Sequence, residues 1–134
     1  AAGGLGAGLV AFLGARIRSG VETVIEVARL DERMQGSALV LTGEGRLDGQ
    51  TVHGKTVAGV AAAAARHGIP VVALAGSLQP GYEALYGRGV VCALSIVDRP
   101  MDLAAAMADA PGLLERAAES VVRLWSAAGG GGHF

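Results

Sequence analysis

The sequence predicts an α/β fold in which βαβ units build a parallel sheet, a Rossmann-like half. Three short, continuous apolar runs occur from residue 37 onward, each bounded by glycine or polar residues. Uninterrupted runs of this kind are typical of strands buried on both faces. Segments of helical period separate and follow these runs. Helical crossovers between parallel strands form right-handed units, which gives the predicted architecture.

Two helices are expected before the first strand. Leu5 to Ile17 is rich in small apolar residues, and Arg18-Ser19-Gly20 breaks this segment. Ser19 and Glu22 have the S-x-x-E spacing of a capping box, which marks the start of a helix. From Val21 to Met34 the apolar residues fall on one helical face, so a second helix is predicted there.

The remaining elements alternate between strand and helix. The predicted strands are Ser37–Thr42, Val71–Ala75, which Gly76-Ser77 is expected to stop, and Val90–Ile96. The predicted helices are Lys55–His67, a short one near Tyr82–Tyr86, and two within Met101–Trp125 that break around Pro111-Gly112. Residues 1–126 are therefore expected to form one domain, followed by a flexible glycine-rich tail at 127–134.

Composition excludes several classes of function. The formal net charge of −1 gives no basic surface for nucleic acid or anionic membrane. No apolar stretch reaches the ~18–20 residues of a membrane span. The only cysteine, Cys92, cannot form an internal disulfide, which favours a reducing cytoplasm.

The segment TGEGRLDGQTVHGKT, Thr42–Thr56, contains the nucleotide-binding pattern G-x-x-x-x-G-K-[ST] from Gly49 onward. In a P-loop the first glycine directly follows the strand. Here the strand is expected to stop at Thr42, which leaves six residues before Gly49. Glu44 and Asp48 would also repel a triphosphate unless a divalent cation lay between them. A P-loop is therefore the less favoured interpretation.

The same segment carries groups that suit a different phosphate site at the carboxyl edge of the sheet. Glu44 and Asp48 can hold Mg²⁺, or one of them can take a proton from an attacking hydroxyl. Lys55 adds positive charge where a helix N-terminus already favours anions. Arg46 either pairs with a nearby carboxylate or contacts substrate. The residues expected to approach a ligand through backbone or polar side chains are Gly43, Gly45, Gly49, Gly54, Thr51 and His53. The alternative is a plain glycine-rich turn.

The segment TGEGRLDGQTVHGKTVAGVA, Thr42–Ala61, resembles the signature of bacterial class I glycerate kinases. The resemblance continues through Pro70–Ser77 and Leu94–Met101, and the opening Ala1–Leu9 is similar to a glycine-rich segment of that family. It therefore extends over nearly the whole chain, in order.

The resemblance implies ATP-dependent phosphorylation of D-glycerate with Mg²⁺ in the cytoplasm, by an enzyme of two α/β domains. The chain would be an incomplete C-terminal portion, so that its expected partner is the N-terminal part of the same enzyme; a homodimer is also considered. The residues carried over by position are Glu44, Asp48 and Lys55 as catalytic residues, Glu44 and Asp48 as metal ligands, and Arg46, Thr51, His53 and Ser77 around them. The alternatives are a P-loop NTPase of another kind and a non-catalytic, flavodoxin-like binding module.

Overall fold

The computed structural model describes residues 29–53 and 56–129. Its elements are α1 (Leu30–Met34), β1 (Val40–Leu47), the 3₁₀ helix η1 (Thr51–His53), α2 (Thr56–Arg66), β2 (Val71–Leu78), the 3₁₀ helix η2 (Tyr82–Arg88), β3 (Val90–Ser95), α3 (Leu103–Ala108) and α4 (Ala110–Ala127). The helix predicted at Leu5–Ile17, most of that at Val21–Met34 and the end of the tail lie outside the described residues. Among residues 29–53 and 56–129, no helix combines the length and the apolar character of a transmembrane span.

The strands of the described ranges form one parallel sheet in the order β1-β2-β3, which confirms the predicted fold class. The central strand β2 is buried from Val71 to Ala75, as expected for a strand covered on both faces. In the register of β1 and β2, Thr42 lies opposite Ala73 and Arg46 lies opposite Ser77.

The first two strands differ from the prediction, because glycine does not end them. The strand β1 begins at Val40 and continues to Leu47, and β2 continues to Leu78. A Cβ atom on Gly43 would overlap the carbonyl oxygen of Leu74, and one on Gly76 would lie 2.7 Å from the carbonyl oxygen of Gly45. These glycines let neighbouring strands approach closely, and strand pairing continues past them.

The helices from residue 56 onward agree closely with the sequence. The helix α2 and the short helix η2 lie where they were predicted, and the last helical region divides in two. The division falls at Asp109, slightly before Pro111. Pro111 lies in the first turn of α4, where its missing N–H needs no partner within the helix.

The main core lies between the sheet and the layer formed by α2 and η2. Right-handed crossovers between strands in sequential order put both elements on the same face. Leu47, Val57, Val71, Leu85 and Val90 are completely or almost completely buried in this layer. On the opposite face α4 contacts β2, and its Leu113 is buried.

Candidate functional site

The carboxyl ends of the three parallel strands meet at one edge of the sheet, where ligands bind in folds of this class. Asp48 directly follows β1, and α2 begins at Thr56, so residues 48–53 connect a strand end to the start of a helix. The strand β1 is longer than expected. Four residues that were predicted to lie in a loop are therefore strand residues: Gly43, Glu44, Gly45 and Arg46. Ser77 likewise lies in β2, opposite Arg46.

A tight turn fixes the Asp48 side chain. Its Oδ1 accepts a hydrogen bond of 2.9 Å from the backbone N–H of Gln50. The Thr51 hydroxyl oxygen accepts one of 3.0 Å from the backbone N–H of Asp48, and it lies 3.5 Å from Asp48 Oδ1. Thr51 is completely buried, so its hydroxyl serves the turn. The carboxylate is therefore held in one orientation at the strand end.

Arg46 and Glu44 differ in their surroundings. The Nε of Arg46 lies 3.2 Å from Asp48 Oδ2, and the Arg46 side chain is 65% exposed while that of Asp48 is 18% exposed. This contact is one of the two roles that the sequence allowed for Arg46. Glu44 is half-buried in β1. Within the described part of the chain, its carboxylate has no hydrogen bond or ion pair.

Two glycines hold the turn against the neighbouring loop. Gly81, which follows β2, has φ = +93°, and a Cβ atom on it would lie 2.9 Å from the Cα of Gly49. The backbones therefore pack in direct contact. In the sequence, six predicted residues between β1 and Gly49 argue against a P-loop. That separation is wrong, because β1 ends at Leu47 and only Asp48 lies between them. Gly49 nevertheless packs on Gly81, and residues 51–53 form a 3₁₀ turn.

Of the remaining predicted site residues at the end of this segment, the structure describes His53 but not Gly54 and Lys55. His53 is exposed at the end of η1. Gly54 and Lys55 lie outside the described residues. Among residues 29–53 and 56–129, no group of three or more His, Cys, Asp or Glu side chains is placed to hold a metal ion. The sequence predicts Glu44 and Asp48 as ligands of Mg²⁺, an ion that commonly binds through one or two carboxylates together with substrate phosphates.

Sequence reasoning missed a cavity of about 1000 Å³ between the sheet and the last two helices. Its lining includes residues 41–45 of β1, Gly76 and Ser77 of β2, and Leu103, Met107 and Leu114 of α3 and α4. We call it the sheet–helix groove. The only signal in the sequence was the spacing of these three large apolar residues on the predicted helices.

Sequence reasoning also missed an ionic cluster that joins α3 and α4 to the end of β3. Arg116 Nε lies 2.7 Å from Asp98 Oδ2, and Arg116 Nη2 lies 3.0 Å from Asp109 Oδ2. Hydrogen bonds from Arg116 lower the pKa of both aspartates, and those aspartates raise the pKa of Arg116. Arg99 also contacts Asp98, at 2.7 Å. The cluster therefore links the two ends of the α3 segment.

Comparison with known proteins identifies the family. The model of the glycerate kinase family matches residues 1–126. A glycerate kinase of Halalkalibacterium halodurans is 51% identical over 94% of this chain and 34% of its own length. Glycerate 2-kinase of Escherichia coli is 43% identical over 72% of this chain and 26% of its own length.

A solved structure agrees with these relatives. The crystal structure of a protein assigned as glycerate kinase 2 in Salmonella typhimurium LT2 superposes with a TM-score of 0.70 at 38% identity. The match covers 96% of this chain and 32% of that protein. The chain thus spans about a third of the length of the relatives it matches, within their C-terminal part. It belongs to the glycerate kinase family.

Proposed function

We propose that this chain is the C-terminal part of a cytoplasmic kinase that transfers the γ-phosphoryl group of ATP to D-glycerate and gives phosphoglycerate. The observation that carries the proposal is the 51% identity to a glycerate kinase over 94% of the chain. The name of that relative supplies the acceptor, and ATP is our inference for the donor. Because the chain spans a third of its relatives, the proposal concerns the full-length enzyme.

Asp48 is the group that we assign to the acceptor hydroxyl. It follows β1 at the ligand-binding edge, and the Gln50 N–H fixes its Oδ1 at 2.9 Å. Phosphoryl transfer depends on positioning more than on covalent chemistry, so a carboxylate held in one orientation is well suited to orient the nucleophile. Asp48 would accept the hydroxyl proton as the oxygen attacks phosphorus. Such proton transfer contributes about 10²–10⁴-fold to rate.

Glu44 is the carboxylate that we assign first to Mg²⁺. It is half-buried and has no partner among the described residues. Carboxylate and phosphate oxygens are the ligands that Mg²⁺ prefers, and Asp48 is the second carboxylate suited to the ion. When bound, Mg²⁺ would neutralise charge on the phosphate oxygens.

Positive charge is needed for the glycerate carboxylate and for the transferring phosphoryl group. We assign the first to Arg46, because its side chain is 65% exposed at the ligand-binding edge, with its Nε 3.2 Å from Asp48 Oδ2. We assign the second to Lys55, together with the backbone N–H groups of Gly49 and Gly54. His53 and Ser77 supply hydrogen bonds to substrate, and the buried Thr51 keeps Asp48 in place.

The experiment is a coupled assay of ADP release by the full-length enzyme with ATP, Mg²⁺ and D-glycerate. Asp48→Asn is expected to lower kcat about 10²-fold or more. Glu44→Gln is expected to raise the Mg²⁺ concentration needed for half-maximal rate. Asp102→Asn and Glu119→Gln are matched controls. Asp102 caps α3 through the Ala105 N–H, a role that asparagine also fills, and Glu119 is an exposed partner of Arg123.

The two alternatives give different results in this assay. A P-loop NTPase requires Thr56 for nucleotide binding, so Thr56→Ala would abolish it while Asp48→Asn would leave it intact. A non-catalytic module would release no ADP even as the full-length protein. Normal D-glycerate turnover by both carboxylate variants would contradict the roles that we assign to Glu44 and Asp48.

A further inference from the structure

On its α3 and α4 side, the sheet–helix groove presents an apolar surface that the proposed reaction does not use, whereas Glu44 and Ser77 line its strand side. Leu103 and Met107 of α3 are 75% and 69% exposed, and Leu114 of α4 is also exposed. Within the described chain α3 has no buried residue. Large apolar side chains gathered along one groove mark a surface that another apolar element covers.

The architecture of the sheet gives the same indication. Parallel sheets are normally buried on both faces. Here α2 and η2 cover one face, whereas on the other face α4 contacts β2, and Leu41 of β1 remains 38% exposed. Because Gly43, Gly45 and Gly76 line the groove without side chains, an incoming element can come close to the strand backbone.

We propose that the groove receives an apolar helix from the segment that precedes this chain in the full-length enzyme. The relatives match this chain with only about a third of their length, in their C-terminal part, so they carry a long segment ahead of it. The volume of about 1000 Å³ accommodates on the order of two turns of a helix about 10 Å across. The lining selects the chemistry of this partner: leucine, valine or alanine facing α3 and α4, small residues over the glycines, and a polar end beside Glu44 and Ser77.

This proposal depends on family membership and not on the phosphorylation of glycerate, so the two can fail separately. Leu124 provides a matched control for Leu103, since it is 74% exposed on α4 but does not line the groove. Leu103→Cys and Leu124→Cys would be prepared in the 134-residue chain and in a full-length form that includes the preceding segment. Modification of each cysteine by a maleimide would be followed by mass spectrometry of its own peptide.

In the 134-residue chain the two cysteines are expected to react at similar rates. In the full-length form the cysteine at position 103 should react at least about tenfold more slowly, while that at 124 keeps its rate. Equal rates in the full-length form would overturn the proposal. Protection at 103 in the 134-residue chain would also overturn it. If that protection is independent of concentration, residues of this chain cover the groove; if it grows with concentration, a second copy does.

A charge substitution gives an independent readout. Leu103→Glu should lower the Tm of the full-length form by several degrees and leave that of the 134-residue chain almost unchanged. Leu124→Glu should change neither Tm by more than about a degree, because exposed substitutions usually have small effects. Equal effects of the two substitutions in the full-length form would contradict the assignment of the groove.

Discussion

The buried hydroxyl of Thr51 allows a sharp test of how Asp48 is held. Thr51→Val preserves the size of the side chain and removes the hydroxyl that accepts the 3.0 Å hydrogen bond from the Asp48 N–H. Thr51 is completely buried and the hydrogen bond is partly buried, so that N–H would lose its acceptor with only partial access to water. An unsatisfied buried donor costs about 1–3 kcal/mol, so for this partly buried N–H unfolding in urea should show a loss of about 1 kcal/mol or more. Thr51→Ser keeps the hydroxyl and loses one methyl group, at a cost of about 0.8 kcal/mol.

The decisive comparison joins stability with catalysis. Thr51→Val should also lower the kcat of the full-length enzyme, because the Asp48 carboxylate is no longer fixed, while Thr51→Ser keeps most of it. The assays are urea titration for the free energy of unfolding and coupled ADP release for kcat. A Thr51→Val protein as stable as the wild type would refute the reasoning. Full stability with lost activity would instead indicate that the hydroxyl acts on substrate.

Two further predictions follow from the backbone and from the ionic cluster. Gly81→Ala should destabilise the chain by more than about 1 kcal/mol, because alanine disfavours φ = +93° and its Cβ would lie 2.9 Å from the Cα of Gly49. Gly87→Ala, which has open space around it, is the control. Urea titration measures the free energy of unfolding of both variants. Arg116→Gln should lower Tm at neutral pH. Because Arg116 lowers the pKa of Asp98 and Asp109, their contribution is present above the unfolded value near ~3.9 and is lost as pH falls through the folded pKa. The difference in Tm between wild type and variant should therefore shrink below about pH 4, and a constant difference down to pH 2 would contradict this.

The sequence predicted the order of elements well because apolar periodicity records burial directly. The apolar run at Val71–Ala75 and the helical pattern before Gly68 correspond to β2 and α2. The strand ends were misplaced for a physical reason. Glycine has the same local preference in a turn and in a strand that approaches its neighbour closely, and only the position of the Leu74 carbonyl distinguishes the two at Gly43.

The candidate site was predicted in part. Asp48 was a candidate from the glycine-rich segment of the sequence, and the structure places it directly after β1; its contact with Arg46 was one of two options. The complete burial of Thr51 could not be predicted, because a threonine in a glycine-rich segment gives no apolar signal. The sheet–helix groove was also missed, since it joins residues far apart in sequence that only the packing of α3 and α4 brings together.

The most direct test of the account is a crystal structure of the full-length enzyme with D-glycerate and a non-hydrolysable ATP analogue. The distance to measure joins an Asp48 carboxylate oxygen and the nearest glycerate hydroxyl oxygen. We expect hydrogen-bond distance, about 2.6–3.2 Å, with the terminal phosphate of the analogue on the far side of that hydroxyl. Glycerate and nucleotide bound together at a site remote from Asp48 would contradict the account.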